Sequence, residues 1–228
     1  MKYIIGNWKM NGNISEKKSL FSALAKVKTR NKIVICLPFT LLNGENYGIT
    51  IGAQDISNHE NGAYTGDISA TMLTASGVKY VIIGHSERRK NHNETNEIVK
   101  DKAEIAIKHK ITPVICVGET AKEKDSGKTK SVIKKMLMQS IPDSGKYIIA
   151  YEPRWAIGSG KTPTMDEIAN AIKTIYENLP TPVPILYGGS VNKDNAHDII
   201  SVPHIDGLLI GGASLKSKTF IPIIKSIE

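Results

Sequence analysis

The stretch Tyr147–Leu179, YIIAYEPRWAIGSGKTPTMDEIANAIKTIYENL, decides how this chain is read. It opens on the apolar run Tyr147–Tyr151. Near-continuous apolar character, without polar alternation, is the mark of a strand covered on both faces. A loop bracketed by Pro153 and Pro163 follows. Thr164-Met165-Asp166-Glu167 then matches a capping box, the reciprocal bonding of a helix's first turn. Beyond it Ile168, Ala171, Ile172, Ile175 and Leu179 recur at helical spacing and predict an apolar stripe facing a core.

The same order of apolar run, turn and amphipathic stretch recurs in both directions along the chain. The other runs are Tyr3–Gly6, Ile33–Leu37, Ile49–Ala53, Tyr80–Gly84, Val114–Gly118, Ile185–Tyr187 and Gly207–Ile210, which makes eight in all. Helical faces are expected at Leu20, Phe21, Leu24 and Val27, at Val99, Ala103, Ala106 and Ile107, and at Phe220, Ile223, Ile224 and Ile227. Strand–helix alternation of this kind predicts an α/β protein with a parallel sheet and helices outside it. Eight units in 228 residues favour a closed (β/α)8 TIM barrel over an open sheet. With no linker or composition shift, residues 1–228 read as a single domain. The outer helices are expected to be shortened. Leu41–Asn46 has room for barely a turn, and the stretch between the fifth and sixth runs also looks lean.

Composition narrows the function classes. Hydrophobic residues make up 40% and charged residues 23%, an ordinary globular mixture. The net charge of +8 comes from scattered lysines such as Lys17, Lys18, Lys26 and Lys28. That suits mild attraction for small anions. Nucleic-acid binding asks for clustered Arg and stacking aromatics, and aromatics are only 6% of the chain. Cys36 and Cys116 each sit inside an apolar run, as reduced buried hydrophobes do. Their spacing supports neither a disulfide framework nor a metal site. No apolar stretch approaches the roughly 18 residues that span a bilayer. The N-terminal segment lacks the pattern of a signal peptide. The expectation is a soluble cytoplasmic protein without membrane or nucleic-acid partners.

In a (β/α)8 barrel the chemistry sits where strands end and loops begin. After the first run comes Asn7-Trp8-Lys9, which brings a cation to the mouth. After the fourth comes His85-Ser86-Glu87-Arg88-Arg89. A helix N-terminus disfavours added positive charge, so His85 is expected neutral, able to donate to a developing oxyanion. After the sixth comes Glu152, a candidate general base. The loop behind it has stiff ends, an apolar patch and two glycines, a composition that suits a lid. After the seventh and eighth runs come Gly188-Gly189-Ser190 and Gly211-Gly212-Ala213-Ser214. Glycine pairs bare the backbone N–H groups, and these two loops are where barrels usually grip phosphate. Two nucleotide motifs fail. The P-loop pattern would need glycine at Trp155, and the dinucleotide pattern would need it at Pro163. No cofactor and no metal are expected.

Seven segments together resemble the triosephosphate isomerase family. They are Gly6–Gly12, Gly52–Asp55, Gly84–Arg89, Cys116–Glu119, Tyr151–Thr162, Tyr187–Val191 and Gly211–Leu215, in the family's order along the whole chain. The resemblance implies an aldose–ketose isomerase of glycolysis and gluconeogenesis that interconverts dihydroxyacetone phosphate and D-glyceraldehyde 3-phosphate through an enediolate. It makes Glu152 the base, His85 the electrophile, Lys9 the stabiliser of negative charge, Asn7 a polar contact and Glu87 a supporting carboxylate. Gly158, Ser190, Gly211 and Gly212 would bind phosphate through backbone N–H groups. It also implies a homodimer in which the loop Asn58–Asp67, with Thr65, reaches the partner's site. Three departures from the family's usual pattern stand out: a shorter chain, Arg154 at the leading hinge of the lid, and Pro163 after the trailing one. The alternatives are another phosphate-binding barrel isomerase or epimerase, which should lack the Asn7, Lys9, His85 and Glu152 set, and a catalytically inactive phosphate-ligand binder.

Overall fold

The structure, a computed structural model, describes residues 1–157 and 162–228. Eight strands occupy the expected runs: β1 Tyr3–Asn7, β2 Lys32–Leu37, β3 Thr50–Ala53, β4 Tyr80–Ile83, β5 Thr112–Val117, β6 Ile148–Tyr151, β7 Ile185–Tyr187 and β8 Gly207–Ile210. Each pairs in parallel with the next, and β8 returns to β1 to close the barrel. Ile5 therefore lies opposite Val34 on one side and Leu209 on the other.

Side chains alternate across each strand, so every strand serves two cores. Ile5, Val34, Cys36, Ile82, Val114, Cys116, Ile148, Ala150, Leu186 and Leu209 pack into one cluster that fills the barrel. Their neighbours Ile4, Ile35, Val81, Ile115, Ile149 and Leu208 pack with the helices in another. This explains why the runs show no polar alternation. The interior is tight: a Cβ at Gly52 would lie 2.6 Å from Cys36 Sγ. Cys36 and Cys116 are free and buried, and burial pushes both thiols up.

The outer layer comprises α1 Ile14–Leu24, α2 Ala70–Ala75, α3 Ser86–Asn91, α4 Asn96–Lys108, α5 Ala121–Asp125, α6 Thr129–Ser140, α7 Met165–Glu177, α8 Ala196–Ile200 and α9 Ser217–Ser226. Thr164 and Glu167 form the expected capping box at α7. Ile168, Ala171, Ile172 and Ile175 are its buried face. Val27, expected on the first helical face, lies beyond the end of α1.

Between β2 and β3 there is only the 3-10 turn Phe39–Leu41, as the short spacing requires. Lys17 on α1 compensates for the absent helix. Its buried ammonium group donates to Leu41 O and to Asn43 O, each at 2.9 Å. The segment between β5 and β6 is fuller than its sequence suggests, since α6 alone has 12 residues. Its apolar face of Ile133, Met136 and Leu137 is interleaved with Lys130, Lys134 and Lys135, which hides the periodicity. The lean helices are α5 in this same segment and α8, with five residues each. Among the described residues no helix is long and apolar enough to cross a membrane.

Candidate active site

Parallel strands deliver their C-terminal ends to one rim, and the functional side chains follow from that. Glu152 is the first residue after β6, and its N–H donates to Val117 O at 2.8 Å, so the ladder itself fixes its start. Two glycines admit it. A Cβ at Gly118 would run into the Glu152 carbonyl, and one at Gly188 would lie 3.0 Å from Glu152 Cγ. Gly188, read as part of an anion-binding pair, thus makes room for Glu152.

The Glu152 side chain is 2% exposed. One carboxylate oxygen accepts from Ser86 N at 3.0 Å, and the other lies 3.0 Å from His85 Nε2. Burial alone would raise its pKa; His85, the Ser86 N–H and Lys9 outweigh burial and hold it below the usual carboxylate range. Glu152 is therefore ionised at neutral pH.

His85 follows β4 and is the N-cap of α3, where its Nδ1 accepts from Glu87 N at 3.2 Å. An accepting Nδ1 puts the proton on Nε2, facing Glu152, which is the neutral tautomer able to donate. The expected sign of the pKa shift needs correction. Burial does push the imidazole down, but the Glu152 carboxylate more than reverses this and leaves it above the ordinary histidine value. A helix of six residues has too small a dipole to prevail against a carboxylate in contact. The direct N–H bond at Nδ1 fixes the tautomer, leaving the ring proton on Nε2.

Asn7, the last residue of β1, is 5% exposed. Its Oδ1 accepts from Lys9 N at 3.0 Å. This bond closes a turn in which Lys9 has φ 52°, a left-handed conformation that non-glycine residues adopt sparingly. Lys9 Nζ then reaches Glu87 Oε1 at 2.6 Å. Both ends stay partly exposed, with side-chain exposures of 28% and 47%, so the pair aims the ammonium group more than it stabilises the fold.

Asn7, Lys9, His85, Glu152, Ser190, Gly211 and Gly212 line one cavity of about 320 Å³. A Cβ at Gly212 would meet nothing within 4 Å, and one at Gly211 only Lys9 Cε at 3.5 Å. The protein itself does not need glycine there; the open space leaves the backbone bare toward the cavity. The N–H groups of Gly189, Ser190, Gly211 and Gly212 bond to no acceptor among the described residues. Gly158 lies outside the described residues.

Several residues outside the predicted catalytic set support it. Buried Glu119 accepts from Trp155 Nε1 at 2.8 Å and lies 3.3 Å from Tyr151 Oη, and its carbonyl accepts from Arg154 N at 3.1 Å. It fixes the chain just past Glu152. Arg88 and Lys102 interlock with Asp55 and Glu94 at 2.6–2.7 Å. Asp55 and Arg88 end or stand within the segments Gly52–Asp55 and Gly84–Arg89, whereas a lysine beside Ala103 gives no hint that Lys102 joins them. No group of three or more His, Cys, Asp or Glu able to hold a metal occurs among the described residues.

Fold and site together define a (β/α)8-barrel enzyme with a carboxylate, an imidazole and an ammonium group around one small polar cavity. The family model for triosephosphate isomerase matches residues 2–227. A triosephosphate isomerase of Gluconacetobacter diazotrophicus is 41% identical over 239 residues, covering 98% of this chain and 97% of that one. One of Trichormus variabilis is 43% identical over 233 residues, covering 97% of each. The crystal structure of triosephosphate isomerase from Bartonella henselae superposes with a TM-score of 0.88 at 37% identity, over 99% of this chain and 98% of that one. The chain belongs to the triosephosphate isomerase family.

Proposed function

We propose that this chain, an isomerase by family, interconverts dihydroxyacetone phosphate and D-glyceraldehyde 3-phosphate with Glu152, His85 and Lys9 as its catalytic residues. The observation that carries the reading is the convergence of these three side chains, distant in sequence, on one cavity. Glu152 and His85 now meet at 3.0 Å, so a substrate seated between them replaces that bond with its own C–H and carbonyl oxygen. Glu152 removes a proton from the carbon beside the carbonyl. His85 Nε2–H donates to the carbonyl oxygen, and an enediolate forms. Lys9 stabilises the negative charge, Asn7 adds a polar contact and holds the Lys9 turn, and Glu87 keeps the ammonium group aimed. His85 relays the hydroxyl proton of the first carbon to the former carbonyl oxygen, and Glu152 returns its proton to the neighbouring carbon, so that the carbonyl moves by one carbon. Ser190, Gly211, Gly212 and Gly158 hold the phosphate by backbone N–H groups, and the loop of residues 153–163 shields the enediolate from water.

Residues 1–228 act as one domain that forms a homodimer through Asn58–Asp67. The segment 61–67 is exposed, Tyr64 stacks on His59 at 3.7 Å, and Ser57 Oγ closes the loop's base on Asp67 at 2.7 Å. A built, exposed loop of this kind supports the reading. A cytoplasmic location accords with two buried cysteines that form no disulfide.

A coupled assay on glyceraldehyde 3-phosphate tests the chemistry. Glu152→Asp withdraws the base by one methylene and is expected to cost about 10²–10⁴-fold in kcat, the usual contribution of a positioned base. Inhibition by inorganic phosphate should survive. Normal turnover by the variant would refute the assignment of Glu152.

A further inference from the structure

The ladder between β4 and β5 pairs Ile83 with Ile115 and goes no further. Gly84 turns the chain away at φ 66°, and His85 follows. Past that point a side chain joins the two strands. Arg89 lies on α3, the helix that His85 caps. Its Nε donates to Gly84 O at 2.7 Å and its Nη2 to Cys116 O at 3.2 Å, so one guanidinium fork spans the position where the ladder would have continued. Its backbone N–H donates to His85 O at 3.0 Å. The carbonyls on either side of the His85 Cα are thus held by a single residue. The fork sits directly on the Gly84 backbone, where a Cβ would lie 2.9 Å from Arg89 Nη2 and 2.6 Å from Val99 Cγ2.

The outer end of the fork is fixed too. Nη1 donates to Asn96 Oδ1 at 2.8 Å, at the start of α4, and Nη2 reaches Ser140 Oγ at 3.4 Å, at the end of α6. These four acceptors are all uncharged oxygens. Burial pushes the pKa of Arg89 down, and desolvating a cation without a carboxylate is a cost that packing alone does not explain. What the cation supplies is charge-assisted bonds, roughly twice as strong as neutral ones, aimed at two strand-end carbonyls.

We infer that Arg89 is a positioning residue of the isomerase reaction: by pinning the Gly84–His85 peptide to β5, it sets the His85 ring against Glu152. Both partners are then referred to one strand, Glu152 through its N–H bond to Val117 O and His85 through Arg89 and Cys116 O. The inference rests on the reading that Glu152 and His85 carry out the proton transfers given above.

Arg89→Lys keeps the cation and loses the fork. It is expected to lower kcat about 10- to 100-fold, as small misplacements of a reacting group do. KM and the inhibition constant of inorganic phosphate should stay within about twofold, because the loops proposed to hold phosphate follow β7 and β8 and not β4. In protein labelled with 15N-histidine, the His85 Nε2 resonance, assigned through His85→Gln, should shift as its bond to Glu152 is disturbed. Asn96→Ala removes only the outer hold. It should move the same resonance in the same direction and lower kcat about two- to fivefold, the worth of one hydrogen bond, and it decides the matter if Arg89→Lys does not fold. An unchanged kcat overturns the inference, as does a loss of kcat accompanied by an equal rise in KM and in the phosphate constant. A fall in melting temperature with the resonance unmoved also overturns it, since that marks a merely structural contact. Absence of isomerisation by the wild-type chain would instead defeat the functional reading, and the resonance would still report whether Arg89 sets the His85 ring.

Discussion

Glu152 and His85 share one hydrogen bond, and removing one partner exposes what it does to the other. In Glu152→Gln the carboxylate is gone while burial remains, and burial disfavours imidazolium. The titration midpoint of His85, followed by NMR of its ring protons, is therefore expected to move down from its raised value; an upward shift would contradict the electrostatic account. Glu152 has the opposite sign. Its depressed pKa contributes stability above the unfolded-state value, and that contribution disappears as pH falls through the folded-state value. At this scale the sequence was informative about identity and silent about geometry. A carboxylate, a histidine and a lysine after three apolar runs were visible as strand-end residues. The left-handed turn at Lys9 was not, because nothing in Asn7-Trp8-Lys9 marks a conformation that glycine would usually take, and neither was the space that Gly118 and Gly188 leave for Glu152, which depends on atoms from other strands.

Among the elements, the connector between β2 and β3 shows how a trimmed barrel keeps its polar groups satisfied. Two carbonyls that a longer helix would have used are bonded by Lys17. Burial pushes the pKa of this lysine down, yet both acceptors are in reach. Lys17→Met leaves those carbonyls without a partner and is expected to destabilise the fold by about 1–3 kcal/mol. Denaturant unfolding measures this, and kcat should not change because Lys17 lies off the cavity. A variant as stable as the parent would show that water replaces the lysine. Elements with strong local codes were legible: the Thr164 capping box marked the start of α7 to the residue. The helix α6 was not, since its three apolar anchors lie among lysines and its amphipathic face emerges only against the barrel.

Assembly belongs to the scale of the whole molecule. If Asn58–Asp67 docks into a second copy, sedimentation equilibrium should give about twice 24.9 kDa. Thr65→Arg places a charge in that contact, so the mass should fall toward the monomer and the melting temperature should lose its dependence on protein concentration. A monomeric wild-type chain with full activity would dismiss the dimer.

What the sequence determined by itself was the alternation of buried strands with amphipathic helices, and with it the barrel and the rim on which chemistry had to lie. Periodicity is local, and a (β/α)8 barrel is the closed form of a local repeat. What only the tertiary structure decided was which rim residues meet. The 3.0 Å contact between Glu152 and His85, the Lys9–Glu87 pair and the Glu119–Trp155 bond join groups 36 to 78 positions apart. Strand register and barrel closure set such distances, and no local pattern encodes them.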